Sequence, residues 1–269
     1  MTAVIRLVAL DVDGTLVGKD LQIPARTREA VRAARERGVR FAIVTGRMYQ
    51  SGVPFARELG LEGTPLVAYN GGMVREYPSG RMIFHDPVPV ETGLKLARFC
   101  EARGYYLQAY VNDDLYVPDM GPRAQHYVNI ARVEPHPVGP LSHWLKDGST
   151  KLLIVDDPER IPQIRTEVQE LLGPSVHAAA SYPEFLEIVK SDVSKGKALA
   201  AMAESLGIAR EEVLAIGDAM NDLPMIQWAG ISFAMAHAPA ELKRAATYVT
   251  TEGVGYGVAE ALERLGLVE

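Results

Sequence analysis

Short apolar stretches alternate with longer amphipathic ones along the first part of the chain. Residues 4–10, 39–44 and 66–69 are almost continuously apolar, which is the pattern of strands buried on both faces of a parallel sheet. Between the first two runs, residues 26–37 carry alanine and valine on one face, and Gly38 follows them. This spacing predicts an amphipathic helix. Strands that alternate with helices indicate an α/β fold with a parallel sheet.

The pattern changes in the middle of the chain and then returns. Residues 85–187 mix predicted helices and short strands with an irregular stretch, rich in proline and histidine, that runs to Trp144. A buried strand is again predicted at residues 213–216. We therefore predict a parallel-sheet core formed by residues 1–84 and 188–269, with an α+β domain inserted at residues 85–187.

Composition and charge narrow the classes of partner. The 269 residues are 48% hydrophobic and 23% charged, with a net charge of -6, which is typical of a globular protein. The absence of any block of consecutive Lys or Arg argues against nucleic acid, although a small anionic ligand could still find a locally positive pocket. No apolar run approaches the ~20 residues of a membrane span, and a chain whose single cysteine is Cys100 forms no intrachain disulfide. We expect a cytoplasmic protein without a membrane partner, either a monomer or a dimer.

Two pairs of carboxylates follow predicted buried strands. Asp11 and Asp13 come directly after the first strand, and Asp218 and Asp222 come after the strand at residues 213–216. The carboxyl ends of parallel strands meet at one edge of a sheet. If the two strands are neighbours, four carboxylates lie close together and need a cation. Their oxygens suit Mg²⁺, which prefers hard oxygen ligands.

A hydroxyl and a lysine extend this set. Thr45 ends the second predicted strand, and Lys195 opens a predicted helix. A lysine at a helix N-terminus opposes the helix dipole, whereas an anion there is favoured. Lys195 is either a solvated surface lysine or a phosphate-binding residue, and the neighbouring carboxylates and hydroxyl favour phosphate binding.

Four motifs in a fixed order give the chain a family resemblance. They are Asp-Val-Asp-Gly-Thr-Leu at 11–16, Thr-Gly-Arg at 45–47, Ser-Lys-Gly at 194–196 and Gly-Asp-Ala-Met-Asn-Asp at 217–222. In this order they resemble the haloacid dehalogenase superfamily. The insertion between the second and third motifs resembles that of the Cof-type sugar phosphatases, which carry a large α+β cap of the C2B type. The resemblance covers essentially the whole chain and implies a Rossmann-like core with a cap that covers the site.

The resemblance also implies a role for each matching residue. Asp11 would be the nucleophile that forms a phospho-aspartate, and Asp13 would be the general acid and base. Mg²⁺ would be held by Asp11, by the backbone carbonyl of Asp13 and by Asp218, while Asp222 would bind the ion through water or hydrogen-bond to the groups that bind it. The residues expected to bind phosphate or substrate are Thr45, Gly46, Arg47, Lys195 and Asn221.

The expected reaction is therefore hydrolysis of a small phosphomonoester, a sugar phosphate first and a phosphorylated cofactor next. Two alternatives use the same residues: a phosphomutase that returns the phosphoryl group to a sugar, and a non-catalytic regulator that binds a phosphorylated ligand. Arg47 could contact substrate or pair with a carboxylate, and Asn70 in the Asn-Gly-Gly loop could touch the ligand. The chain departs from the family at Ala236-His237, where Gly-Asn is usual.

Overall fold

The computed structural model describes residues 4–268 and divides the chain into two compact units. The first unit comprises the described residues of Met1–His85 together with those of Ser194–Glu269, and the second unit is Asp86–Val193. The second unit is thus inserted between two stretches of the first. The junction that ends the insertion follows residue 193, beyond the last strand of that unit, whereas the sequence prediction placed it after residue 187.

Both units contain strands and helices. The strands, in chain order, are β1 (Leu7–Leu10), β2 (Arg40–Ile43), β3 (Thr64–Ala68), β4 (Met73–Tyr77), β5 (Met82–His85), β6 (Tyr106–Val111), β7 (Asp114–Val117), β8 (Pro135–Pro137), β9 (Lys151–Val155), β10 (Val176–Tyr182), β11 (Phe185–Lys190), β12 (Val213–Gly217), β13 (Ile231–Ala234) and β14 (Tyr248–Val249). The α-helices are α1 (Ala25–Glu36), α2 (Tyr49–Glu58), α3 (Val90–Arg103), α4 (Pro122–Ala131), α5 (Leu141–Trp144), α6 (Ile161–Leu172), α7 (Lys195–Ser205), α8 (Leu223–Trp228), α9 (Ala240–Ala245) and α10 (Tyr256–Arg264).

The first unit is built around a parallel sheet with the strand order β14-β13-β12-β1-β2. β1 pairs with β2 and with β12, so that Leu10 is level with Ile43 on one side and with Ile216 on the other. All residues of β1 are buried, as expected for a parallel strand covered on both faces. The α/β fold class predicted from the sequence is confirmed. The loops after β1, β2 and β12 all begin at one edge of this sheet.

Helix α7 packs against the parallel sheet, and this packing helps to place Lys195, the first residue of the helix. Its side chains Ala198 and Leu199 share a core with Leu7 of β1. The hydroxyl of Ser194 accepts a hydrogen bond from the backbone N–H of Lys197 at 3.1 Å, which is an N-cap. Burial of the helix face and the cap together set where α7 begins.

β3 does not extend the parallel sheet, and in this respect the sequence prediction was wrong. It pairs antiparallel with β4, which pairs with β5, in a separate sheet. An isolated parallel bridge joins Val44, after β2, to Val67 of β3. A single 3-10 turn at Tyr69–Gly71 separates β3 from β4, so antiparallel pairing closes only a very short loop. An apolar run alone does not reveal its pairing partner.

The inserted unit contains a sheet with the strand order β10-β11-β9-β6-β7-β8. Neighbouring strands are antiparallel except for the parallel pair β7 and β8. Helices α3 and α6 share its core, to which they contribute Leu96, Cys100, Ile164 and Val168. Cys100 is a free cysteine and is buried. A helix with the length and apolar character of a membrane span does not occur in the part of the chain that the structure describes.

Helix α4 lies in the stretch that the sequence analysis took to be irregular. Pro122 is at the first helical position, after Gly121, where its fixed φ and missing N–H are tolerated. Ala124 and Tyr127, three positions apart, are the buried residues of the helix. The prediction of an irregular stretch is wrong here, because Pro122 begins a helix.

Candidate active site

A buried lysine lies between two carboxylates at the edge of the parallel sheet. Lys195 donates from Nζ to Oδ1 of Asp11 and to Oδ1 of Asp222, each at 2.5 Å. The side chain of Lys195 is fully buried, although it belongs to the first turn of a helix. Burying an ammonium group this completely is tolerable only when carboxylates compensate it. The solvated-lysine alternative from the sequence does not hold in this structure.

The acidic side chains form a compact group. Asp11, Asp218 and Asp222 each offer an oxygen within 4.8 Å of the others. Among the residues that the structure describes, this group is the one close enough to hold a single ion, and the carboxylate of Asp13 lies outside it. The topology explains the grouping, because β1 and β12 are neighbours and their loops leave the same sheet edge.

Asp222 is held by protein groups through both of its oxygens. Its Oδ1 accepts from Lys195, and its Oδ2 accepts from the backbone N–H groups of Asp218 and Ala219, each at 2.9 Å. Gly217 permits this arrangement, because a Cβ there would lie 2.6 Å from Cβ of Asp222. Asp222 therefore fixes both the loop that carries Asp218 and the position of Lys195.

Asp13 turns away from the carboxylate group and pairs with Arg47. The guanidinium donates from Nε and Nη2 to the two oxygens of Asp13, at 2.7 and 2.5 Å. Such a two-pronged contact is specific in geometry as well as favourable in energy. The side chain of Asp13 remains 54% exposed, so the group that would exchange protons with substrate and water is accessible. Of the two possibilities left open for Arg47, the structure shows the pairing with a carboxylate.

The loops after β2 and β3 are joined to each other. The hydroxyl oxygen of Thr45 accepts the backbone N–H of Arg47 at 3.1 Å, and the carbonyl of Thr45 accepts the N–H of Asn70 at 3.0 Å. Asn70 in turn accepts a hydrogen bond from the side-chain amide of Asn221 at 2.9 Å. Asn70 thus connects two loops that carry predicted phosphate-binding residues, a role larger than the sequence indicated.

Gly71 lets this loop approach the start of helix α7. Its φ is +107°, and a Cβ there would lie 2.2 Å from the carbonyl oxygen of Ser194. Only glycine tolerates this conformation together with such close backbone contact. Gly46 also lies beside the loop, since a Cβ on it would come within 3.0 Å of the Asn70 amide.

Asp218 has two further neighbours that the sequence analysis did not assign to the site. Thr15 donates from Oγ1 to Oδ1 of Asp218 at 3.0 Å, and Nε2 of His237 lies 3.3 Å from Oδ2. Gly14, with φ +85°, lies against the same carboxylate. The position of Thr15 within the first motif was the signal for its role. For His237, the signal was the departure from the usual Gly-Asn pair.

The charges of the site are out of balance. Burial raises the pKa of Asp11 to about 8; Lys195 opposes this effect, and the carboxylates of Asp222 and Asp218 add to it. Burial and the charge of Asp222 also raise the pKa of Asp218, against the bonds from Thr15 and His237. For Lys195, burial lowers the pKa, but Asp11 and Asp222 outweigh it and the net direction is upward. One lysine thus faces three carboxylates.

The excess of negative charge and the available donor atoms show which kind of metal ion the site could hold. A divalent cation would supply the charge that the carboxylates lack. The available donors are oxygens, which are the ligands that hard cations such as Mg²⁺ prefer. The donor set and its charge therefore fit a hard divalent cation.

Comparison with known proteins places these residues in context. A model of the haloacid dehalogenase-like hydrolase family matches residues 8–262. The putative phosphatase YxeH of Bacillus subtilis is 30% identical over 269 residues, covering 98% of this chain and 99% of the relative. The pyridoxal phosphate phosphatase YbhA of Escherichia coli is 28% identical over 265 residues, covering 95% and 96%. A crystal structure of a Thermotoga maritima protein superposes with a TM-score of 0.90 at 31% identity and covers 97% of each chain.

Proposed function

We propose that this chain, which belongs to the haloacid dehalogenase-like hydrolases and is a phosphatase, hydrolyses small phosphomonoesters through a phospho-aspartate intermediate with one magnesium ion. The observation that carries the proposal is the pair of hydrogen bonds from the buried Lys195 to Asp11 and Asp222. These bonds place an ammonium group beside a buried carboxylate in a group of acids. A nucleophile, a cation and a metal-binding site are thereby brought together.

Asp11 is the proposed nucleophile, and it acts in two steps. Its carboxylate oxygen attacks phosphorus, so an oxygen–phosphorus bond forms while the bond from phosphorus to the leaving oxygen breaks. Asp13 gives its proton to the departing alkoxide. Water then attacks the phosphorus of the acyl phosphate, Asp13 takes a proton from that water, and Asp11 is released as a carboxylate together with inorganic phosphate.

The acids and the lysine have distinct roles around this nucleophile. Mg²⁺ would be held by Asp11, by the backbone carbonyl of Asp13 and by Asp218, with Asp222 acting through water. When bound, the ion supplies positive charge that stabilises the phosphoryl group in the transition state. Lys195 provides a second positive charge, fixed against Asp11 at 2.5 Å. Because phosphoryl transfer depends mainly on positioning and charge, these fixed cations would contribute much of the rate.

The remaining predicted residues would contact the phosphoryl oxygens or control Asp13. Thr45 accepts an N–H through its oxygen, which leaves its hydroxyl hydrogen to donate to phosphate. The amide of Asn221 and the backbone of Gly46 lie on the loops joined through Asn70. Arg47 holds both oxygens of Asp13 and so fixes the orientation of the acid.

The substrate is proposed to be a small phosphorylated metabolite rather than a macromolecule. A sugar phosphate is our first choice, because of the Cof-type arrangement of motifs and insertion. A phosphorylated cofactor is second, in line with the relative named as a pyridoxal phosphate phosphatase. Selectivity would lie in the inserted unit, Asp86–Val193. A single cysteine and the absence of a basic block favour a cytoplasmic enzyme that does not act on nucleic acid.

The test measures phosphate release from sugar phosphates, pyridoxal phosphate, flavin mononucleotide and an aryl phosphate, with either Mg²⁺ or EDTA. Asp11→Asn removes the nucleophile, and Asp20→Asn, an exposed carboxylate after the same strand, is the matched control. We expect release that needs Mg²⁺, disappears in Asp11→Asn and persists in Asp20→Asn. Release by Asp11→Asn at the wild-type rate would overturn the proposal. No release, together with phosphoryl exchange between sugar monophosphates that requires a bisphosphate, would identify a mutase instead.

A further inference from the structure

His237 lies at the metal-binding carboxylate although the family motifs do not include it. It belongs to the loop after β13, the strand next to β12. Its Nε2 is 3.3 Å from Oδ2 of Asp218, while Thr15 donates to Oδ1 of the same carboxylate at 3.0 Å. Asp218 is therefore flanked by donors on both oxygens, and they come from two different loops.

The backbone that leads into His237 is anchored to two other segments of the chain. The N–H of Met235 donates to the carbonyl of Gly217 at 3.0 Å. The N–H of Ala236 donates to Oγ1 of the buried Thr250 at 2.9 Å, and Thr250 donates in turn to the carbonyl of Glu252. Because these hydrogen bonds fix the backbone next to His237, its imidazole ring can restrain the side chain of Asp218.

We propose that His237 is a positioning residue for the cation, which it serves by holding Asp218. With the proton on Nε2, the ring donates to Oδ2 and limits the rotation of the carboxylate. The Asp218 side chain therefore loses less conformational entropy when the ion binds. This inference rests on the proposed function, because it assumes that Asp218 binds the ion. Hydrogen-bond partners of metal-binding side chains are typically worth 10–100-fold in metal affinity. The side chain of His237 is 42% exposed, so little of the folding energy should depend on it.

The experiment measures Mg²⁺ binding to the metal-free protein by calorimetry, without substrate. His237→Ala removes the donor, and His237→Gln places an amide N–H near the position of Nε2. His177→Ala, at an exposed position of β10 in the inserted unit, is the control. We expect His237→Ala to bind Mg²⁺ about tenfold more weakly or worse. His237→Gln should recover most of the affinity, and the control should match the wild type.

One further measurement and one control variant separate the possible failures. Thermal unfolding in EDTA should give His237→Ala the same midpoint as the wild type, with a smaller rise when Mg²⁺ is added. Equal Mg²⁺ affinity in His237→Ala and the wild type would overturn this inference and leave the proposed function standing. The inference is also overturned, and the proposed function left standing, if His237→Gln binds Mg²⁺ as weakly as His237→Ala does. The same conclusion follows if the unfolding midpoint of His237→Ala in EDTA is lower than that of the wild type. The Asp218→Asn variant is the control for lost Mg²⁺ binding. If the wild type binds no more Mg²⁺ than this control, the proposed function and this inference are overturned together.

Discussion

The buried carboxyl of Asp11 should make the metal-free protein less stable as the pH rises. In the folded protein its pKa is raised from 3.8 to about 8 by burial and by neighbouring carboxylates, against the effect of Lys195. The folded state therefore holds this proton more tightly than the unfolded state. Its stabilising contribution is complete below the unfolded pKa and is lost as the pH rises through the folded value.

The size of the effect follows from the two pKa values. Each unit of difference corresponds to about 1.4 kcal/mol, so the whole shift corresponds to about 6 kcal/mol. A rise from about pH 5.5 to about pH 9 covers only part of the interval between the unfolded and the folded pKa. This part corresponds to a loss of about 3 kcal/mol of unfolding free energy. Asp11 is 5% exposed, so solvent screening takes little from this figure.

The assay is urea unfolding of wild type and Asp11→Asn in EDTA across this pH range. Asparagine keeps an oxygen that can accept from Lys195 but carries no titrating proton. The free-energy difference between the two proteins should therefore change by about 3 kcal/mol in favour of the variant as the pH rises. Titrating groups that do not interact with Asp11 cancel in the difference. Asp147→Asn, at an exposed position of the inserted unit, is the control and should give a flat difference curve.

Parallel stability curves for wild type and Asp11→Asn would refute this reasoning, because they would mean that the Asp11 carboxyl titrates alike in the folded and unfolded protein. A difference curve that slopes the other way would mean that Lys195 outweighs burial and the neighbouring carboxylates. Saturating Mg²⁺ should reduce the slope for the wild type, because the ion binds the ionised carboxylate.

Three further results are expected. Glu260→Gln should lower stability at neutral pH, because hydrogen bonds from two backbone N–H groups outweigh burial and hold the pKa of Glu260 below its usual value. Urea unfolding should show a loss of about 1.5–3 kcal/mol. This loss should shrink as the pH falls through the pKa of Glu260 in the folded protein. Thr250→Val should cost about 1–3 kcal/mol in the same assay, since it leaves the N–H of Ala236 without its acceptor, whereas Thr250→Ser should cost less. Gly14→Ala should weaken Mg²⁺ binding measured by calorimetry, because its Cβ would lie 2.3 Å from Oδ2 of Asp218, and affinity equal to that of the wild type would contradict this.

The parallel-sheet core was predictable because its strands carry a strong local signal. Residues 4–10 are apolar except for Arg6, residues 213–216 are apolar throughout, and parallel strands covered on both faces have this composition. The polar motifs directly after these runs then had to lie at one sheet edge. The family resemblance was read from those motifs, and the comparison with known proteins confirms it.

The pairing of β3 and the helix α4 were missed for different reasons. β3 has the same apolar character as β1, and its antiparallel partner becomes evident only once the turn at Tyr69–Gly71 is known. In α4, the helix-starting position of Pro122 is a property of the boundary, and boundaries are weakly marked in a sequence.

Within the site, the sequence offered the residue types but not their contacts. The burial of Lys195 depends on two carboxylates, Asp11 and Asp222, that are distant in the chain and meet only because β1 and β12 pair. The contact of His237 with Asp218 likewise depends on the adjacency of β12 and β13. Such contacts are set by strand order, which no local pattern contains.

The central claim is that Asp11 carries the phosphoryl group, and trapping that group tests it most directly. Asp13→Asn should be mixed with an aryl phosphate and Mg²⁺ and quenched in acid. An aryl leaving group departs without a proton from Asp13, whereas attack by water needs a base. The intermediate should therefore accumulate, and mass spectrometry should find one phosphoryl group on Asp11, removable by hydroxylamine. Phosphate release without any phosphorylated protein, or a phosphoryl group on another residue, would contradict the account.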